Sequence, residues 1–403
     1  MDFITKFFLK HEISNKQLRV KLKSTIFASV TATIFFTSLF TVIYFLGFNL
    51  FRDKGVESQK EIARVLASAI DSTIEKEAEQ VKLNANSQFV IDALKENNLK
   101  YRVMGERGIQ RYLMDMNKRW IEVSDDGPFL KDYLENKLSH RLSGLKIEEK
   151  KLVSVTIADK FGGLVGSTTR PSKFYSFDQD WWLSAYAQGG GYDKPFIGNV
   201  EYDEARNLWC LPFAVPIEDE AGSVIGVYKA SISLDTFFKP LLNFKIGETG
   251  RVVLADDKAY LVYHDGALPF ANKYCEYKEF KKTLDDRDKW GVLDTAYLNR
   301  GKTLVAYSEV NLPFLSAKGI NWFVFVERDI GEIFAPLGKF ISIVILIGIL
   351  LVIILALSVF ILSGQESLSY SMFHMDEDAL VKKTEDKNHN YIEKRDEGLQ
   401  KDK

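Results

Sequence analysis

LVSVTIADKFGGLVGST, residues 152–168, is the stretch that decides the fold of this chain. Leu152 to Ala158 is β-branched and strand-like, Asp159-Lys160-Phe161-Gly162-Gly163 is turn chemistry, and Leu164 to Thr168 returns as a second strand. The phrase recurs at 251–264 as RVVLADDKAYLVYH: strand Arg251 to Ala255, turn Asp256 to Ala259, strand Tyr260 to His264. A second pair of phrases matches as well. Ser223 to Leu234 is a strand ending in Asp235-Thr236-Phe237-Phe238, and Asn321 to Asp329 is a strand ending in Gly331-Glu332-Ile333-Phe334. Each unit opens with a hairpin and closes with a strand running into a helix. This predicts an internal duplication, two α+β modules in tandem, with the boundary near Leu241 to Gly250, where Gly247 and Gly250 break the pattern.

Upstream of the first hairpin the period is helical. Asp53 to Asn98 predicts one long helix, with Ile62, Leu66, Ala69, Ile70, Ile74, Ala78 and Val81 as its apolar stripe. Some 40 residues of helix span about 60 Å. The stripe can pair with a second copy or pack on its own domain. Arg107 to Val123 predicts a second helix and Pro128 to Leu145 a third.

Outside the modules lie two uncharged apolar runs, Thr25 to Phe51 and Phe340 to Leu362. Each meets the length of about 20 apolar residues that a bilayer-crossing helix requires. Lys6, Lys10, Lys16, Arg19, Lys21 and Lys23 precede the first run against Asp2 and Glu12, so the positive-inside bias puts the N-terminus in the cytoplasm. Two spans return the C-terminus there. The second span lends no support, since Lys339 lies on its outer side and Ser363 to Asp378 carry no Lys or Arg. The first run is far longer than a signal-peptide core and no small-x-small site follows it, so it is read as an uncleaved anchor.

Roughly 290 residues lie between the spans, room for one large domain or two ordinary ones. The formal net charge of −2 gives no basic field for nucleic acid. Two cysteines, Cys210 and Cys275, exclude a disulfide scaffold and a four-cysteine metal site, and are expected not to be bonded. The five histidines are scattered, without H-E-x-x-H spacing, and G-x-S-x-G is absent, so no cofactor, metal or enzymatic activity is expected. His264 is expected to be a structural strand-end residue. The charged tail after Leu362, with few large apolar residues beyond Phe373, is expected to be disordered.

The combination resembles the double Cache sensor family, the extracytoplasmic input of bacterial chemoreceptors, sensor kinases and cyclic-nucleotide signalling proteins. Asp180-Trp181-Trp182-Leu183-Ser184-Ala185 resembles its D-W-Y-x-x-A helix start. Phe213 to Ile217 with Gly222 to Val227 resembles its strand, turn and strand, and Gly247 to His264 its membrane-proximal hairpin. The resemblance covers roughly 53–338. It implies tandem PAS-like modules in an α+β fold: cytoplasmic N-terminus 1–24, transmembrane helix 25–51, signalling helix 52–98, membrane-distal module 99–241, membrane-proximal module 242–339, transmembrane helix 340–362 and tail 363–403.

It also implies a small-molecule pocket in the distal module. Members that bind amino acids carry an Arg two residues before the Trp, a Tyr right after it and an Asp on the later strand. Here those positions read Gln179, Trp182 and Ser231, so a ligand other than a free α-amino acid is expected. Tyr175, Asp178, Gln179, Trp181, Trp182, Tyr202, Trp209 and Ser231 are the candidate ligand-binding residues, within an aromatic stretch that also holds Phe174, Tyr186 and Tyr192. Trp faces suit cations and Asp178, Asp180 and Asp203 lie nearby, so a neutral or cationic ligand is favoured. The expected protein is a homodimeric receptor in a bacterial inner membrane whose output lies in a separate cytoplasmic protein. A structural or adhesive surface protein, or a receptor truncated before its output domain, is the alternative.

Overall fold

The computed structural model describes residues 2–354 except 125–126, 188–194, 205, 244, 296–301 and 313–318. The predicted tail, Tyr192 and the last eight residues of the second apolar run lie outside the described residues. The elements in chain order are α1 (Asp2–Ala85), α2 (Gln88–Asn98), α3 (Glu106–Glu122), α4 (Pro128–Leu134), α5 (Lys137–Glu148), β1 (Leu152–Asp159), β2 (Leu164–Ser167), α6 (Asp180–Tyr186), β3 (Phe196–Ile197), β4 (Glu201–Asp203), β5 (Leu208–Glu218), β6 (Val224–Ser233), α7 (Leu234–Leu242), β7 (Arg251–Asp256), β8 (Leu261–Tyr263), α8 (Tyr277–Leu284), β9 (Trp290–Asp294), β10 (Lys302–Val310) and β11 (Trp322–Asp329). A last helix, α9, covers Ile330–Ile354.

The chain divides into two compact units, Met1–Asn49 with Ala335–Lys403, and Leu50–Phe334. In the first, helices Thr33–Ala85 and Ile330–Ile354 supply segments long and apolar enough to cross a membrane. Their most apolar windows are 0% and 6% buried, unlike the core helix of a soluble domain. A Cβ on Gly47 would meet Leu337 Cδ1 at 2.8 Å, so glycine is what lets that leucine approach.

The second unit holds two antiparallel sheets with the same path. The first runs β2-β1-β6-β5-β3, with β4 also on β5; the second runs β8-β7-β11-β10-β9. The duplication extends to single atoms. Asp159 Oδ1 accepts from the Phe161 and Gly163 amides at 2.9 Å each, and Asp256 Oδ1 accepts from the Lys258 and Tyr260 amides at 3.0 and 2.7 Å. The residue three past each aspartate is left-handed, Gly162 at φ +83° and Ala259 at φ +67°. An aspartate that mimics a backbone turn makes this tight reversal in both units.

Three local expectations change. The long helix ends at Ala85 and restarts at Gln88, because the Ser87 hydroxyl donates to Asn84 O at 2.6 Å and takes a carbonyl the helix would use. The predicted third helix splits into α4 and α5 at Asn136, whose side chain accepts from Ser139 N at 2.8 Å as an N-cap. The apolar stripe of α1 is used within the chain. Leu66, Ile70, Ile74, Ala78 and Val81 are buried in one core with Ile157, Phe213, Tyr228, Leu254 and Val324 of the two sheets. Each Leu or Ile so buried contributes about 1.5–3 kcal/mol. Most of the predicted stripe is thus covered by the sheets of its own chain.

At the other end Glu332, in the first turn of α9, accepts from the Glu248 and Thr249 amides at 3.1 and 2.8 Å, from the Thr249 hydroxyl, and from Arg328 Nε at 2.9 Å. Gly247 has φ +67°, and a Cβ there would lie 2.1 Å from Glu332 Oε1. The G-x-x-G stretch is thus bound by its backbone to the helix that continues into the second apolar run.

Candidate ligand site

Each strand of the first sheet presents alternate residues to two faces. Val155 and Ile157 of β1, Leu211, Phe213 and Val215 of β5, and Tyr228, Ala230 and Ile232 of β6 belong to the core shared with α1. The intervening residues face α6, where Ala158, Ala214 and Val227 form a smaller core with Trp181, Trp182, Ala185 and Phe196. Register places Ser154 opposite Ser231 and Thr156 opposite Lys229. It also places Pro212 and Ala214 of β5 beside those two β6 residues. The floor under α6 therefore grades from apolar at Val227 to polar at Lys229 and Ser231.

Helix α6 is capped by Gln179, carries Asp180 in its first turn and ends before Ala187, which is left-handed at φ +45°. Trp182 is 6% exposed, stacks on Tyr186 at 4.5 Å and donates Nε1 to Asp159 O at 3.2 Å. Its neighbours are those of a core residue. Trp181 donates its indole N–H to Gln179 Oε1. The Lys229 ammonium lies 5.7 Å from the centre of the Trp181 ring and is ion-paired to Glu201 at 2.7 Å. The chain's own lysine thus already lies over this ring.

The predicted site residues fall into three groups. Gln179, Trp181, Trp182 and the buried Ser231 belong to the α6 face of the sheet. Tyr175 stacks on Phe177 at 4.3 Å and lies under Lys173, whose ammonium pairs with Asp178 at 2.6 Å. Tyr202 and Trp209, on β4 and β5, meet with ring centres 5.1 Å apart and planes tilted by 54°, with Tyr202 43% exposed and hydrogen-bonded to Asn207. Trp209 turns toward Phe270, 6.1 Å away. Lys229 and Glu201 were missed in the sequence. The signal was present: a lysine in the middle of a β-branched strand, sharing the alternation of Val227 and Ser231.

Beneath the hairpin sits Asp159, fully buried. Its Oδ2 accepts from Tyr101 OH at 2.7 Å and Asn97 Nδ2 at 3.0 Å. Burial first, and then this carboxylate, push the Tyr101 phenol above its ordinary value, so it remains a donor. Burial also lowers the Lys100 ammonium 3.8 Å away.

Two clefts lie around the second sheet: one of about 290 Å³ involving Tyr263, His264 and Asp265, and one of about 530 Å³ along Tyr277 to Asp286. His264 follows β8 and is 7% exposed. Among the described residues no group of three or more His, Cys, Asp or Glu could hold a metal. Cys210 and Cys275 are both free and buried. Burial, with Asp203 and Glu201 near Cys210 and with Glu279 and Glu276 near Cys275, pushes each thiol up to about 12. Neither thiol of the folded chain is therefore expected to react with Ellman's reagent at pH 8, and both should react on unfolding. Rapid native labelling would place one of them at an open surface.

The family model described as "Cache domain", of the double type, matches residues 50–337. This chain belongs to the double Cache family. No curated protein sequence matches it. Among solved structures, the Cache domain is similar to the ligand-binding domain of the Pseudomonas aeruginosa amino acid chemoreceptor PctC in complex with GABA. That likeness is at 18% identity over 67% of this chain and 97% of that one, with a TM-score of 0.39. It is also similar to the sensory domain of the Campylobacter jejuni chemoreceptor Tlp3 with isoleucine bound, at 14% identity, 71% and 96% coverage and a TM-score of 0.44. A third is the ligand-binding domain of the Pseudomonas fluorescens chemoreceptor CtaA with L-serine, at 16% identity, 69% and 98% coverage and a TM-score of 0.40. The family assignment rests on the sequence match over 50–337, which contains both hairpin-led units.

Proposed function

We propose that this double Cache protein is a membrane-anchored sensor that binds a small molecule on the α6 face of its first module. The observation that carries the reading is the family match over 50–337, enclosed by two helices long and apolar enough to cross a membrane. In this reading 25–51 and 340–362 span a bacterial inner membrane, both termini are cytoplasmic, 52–98 is the signalling helix, 99–241 the membrane-distal module and 242–339 the proximal one. Lys6 to Lys23 set that orientation. Ligand binding favours one arrangement of the first module, and the second span passes the change to a separate cytoplasmic protein.

The site combines Trp181, Gln179 and Ser231. A screen of small metabolites by thermal shift on the full-length protein in detergent should yield compounds that raise the melting temperature. Trp181→Ala should abolish that response with the fold retained. Retention of the full response in a folded Trp181→Ala protein would remove the site from this face.

Assembly as a homodimer along α1 is proposed to use its outward side. Val65 is 53% exposed there, and Ser72 and Glu79 follow at seven-residue spacing. Single cysteines at Val65 or Ser72 should crosslink between copies under mild oxidation, while cysteines at Ile70 or Ile74 should not. Equal crosslinking at all four positions, or at none, would set α1 aside as the dimer element.

A further inference from the structure

A third cleft, of about 240 Å³, opens between α1 and the turn that joins α8 to β9. Its lining includes Lys60 and Arg64 from α1, Arg287, Asp288 and Lys289 from the turn, and Tyr307 of β10. Four cations there stand against one carboxylate. The two on α1 are already paired, Lys60 with Glu57 at 3.0 Å and Arg64 with Glu61 at 2.6 Å. Those acids are 73% and 60% exposed, so these are surface pairs of small net worth. Arg287 and Lys289 differ. Both are exposed, and among the described residues neither side chain makes a hydrogen bond or an ion pair. The turn between them is closed by its own groups. Asp286 Oδ1 accepts from Asp288 N at 2.9 Å, Lys289 N donates to Asp286 O at 3.1 Å, and Tyr307 N donates to Lys289 O at 3.1 Å. Lys289 sits at φ +56°, a left-handed backbone that glycine or asparagine adopts at less cost. Lysine at that position adds strain to the turn and a charge to the cleft.

We propose that this cleft binds a phosphate group, held between α1 and the turn at 287–289. Arg287 offers a planar fork to two of its oxygens, and Lys289 a point charge to a third. Arg64 joins by leaving Glu61, which exchanges one exposed charge-assisted bond for another. The hydroxyl of Ser308, also on the cleft, is a further donor. A phosphate monoester suits two unpaired cations better than a carboxylate does. It carries about 1.5–2 negative charges and three acceptor oxygens, whereas a carboxylate carries one charge and leaves one cation without a partner. Once bound, the anion ties α1 to the turn that leads into the second sheet. Free phosphate and the headgroup of an acidic phospholipid present this same group. The α6 face shares no residue with the cleft, so the two sites stand or fall separately.

The test follows the melting temperature of full-length protein in detergent while inorganic phosphate replaces chloride at constant ionic strength. A saturable rise should appear, distinct from the unsaturated climb that phosphate causes by its exclusion from any protein surface. Arg287→Gln/Lys289→Gly removes both unpaired cations, and glycine suits φ +56°, so the turn is kept. Its half-saturating concentration should be about tenfold higher. Should that variant fail to fold, Arg287→Gln alone carries the test, with a weakening of about threefold. A second arm uses protein reconstituted in phosphatidylcholine vesicles with and without phosphatidic acid. A rise on adding phosphatidic acid that the variant loses assigns the cleft to a lipid headgroup. A response to free phosphate alone assigns it to a soluble anion, and a response in both arms supports either source. No saturable response in either arm would overturn the proposal. So would a response that the folded variant keeps at the same half-saturating concentration.

Discussion

Replacing Asp159 by alanine is expected to destabilise the Cache domain by about 3–5 kcal/mol, the range for stranding buried partners of a charged group. The carboxylate is fully buried and serves four donors. Two are the amides that shape the first hairpin, and two are Tyr101 OH and Asn97 Nδ2, which fasten the end of α2 and the turn after it. Alanine leaves all four without an acceptor, with Lys100 3.8 Å from the vacated position. Asp159→Asn keeps the Oδ1 acceptor and should lose less than half as much. Melting temperature reads this as a drop on the order of 10 °C for alanine. A loss under about 1 kcal/mol would mean that water replaces the carboxylate and that the hairpin does not depend on it.

Trp120→Ala is expected to cost about 3–5 kcal/mol as a buried large-to-small change. The ring is 1% exposed and packs within 6.2 Å of Phe129, Tyr133 and Phe174. Its Nε1 donates to Pro171 O at 2.8 Å, and Arg170 donates back to Trp120 O at 2.5 Å. Arg170 and Pro171 begin the segment that leads into α6, so the same change should weaken any ligand response. Trp120→Phe should recover much of the stability but not the bond to Pro171. If Trp120→Ala lowers stability yet leaves the ligand response intact, α6 is positioned by the sheet alone.

The duplicated architecture was legible because its cause is local. An aspartate followed by turn residues closes each hairpin, and period-two apolar runs flank it, so both units announce themselves within about fifteen residues. The two long apolar helices were legible for the same reason, as uninterrupted apolar length. The end of α1 was not, because Asn84 and Ser87 stop the helix through a side-chain bond that composition does not show. The fate of its stripe was not either: Leu66 and Ile70 suit a partner helix and a sheet equally well. In the candidate site, sequence proximity misled. Tyr175, Trp181, Tyr202 and Trp209 are near neighbours along the chain, but it crosses the sheet edge between them, and they end in three separate contacts. Lys229 comes beside Trp181 only once β6 lies beneath α6.

The most direct measurement is hydrogen exchange on the full-length protein, with and without a compound that raises its melting temperature. Slowed exchange is predicted at 180–186 and 224–233, the helix and strand that carry Trp181, Lys229 and Ser231. Slowed exchange confined to 242–265, around Tyr263 and His264, with 180–186 unchanged, would contradict a ligand site on the α6 face.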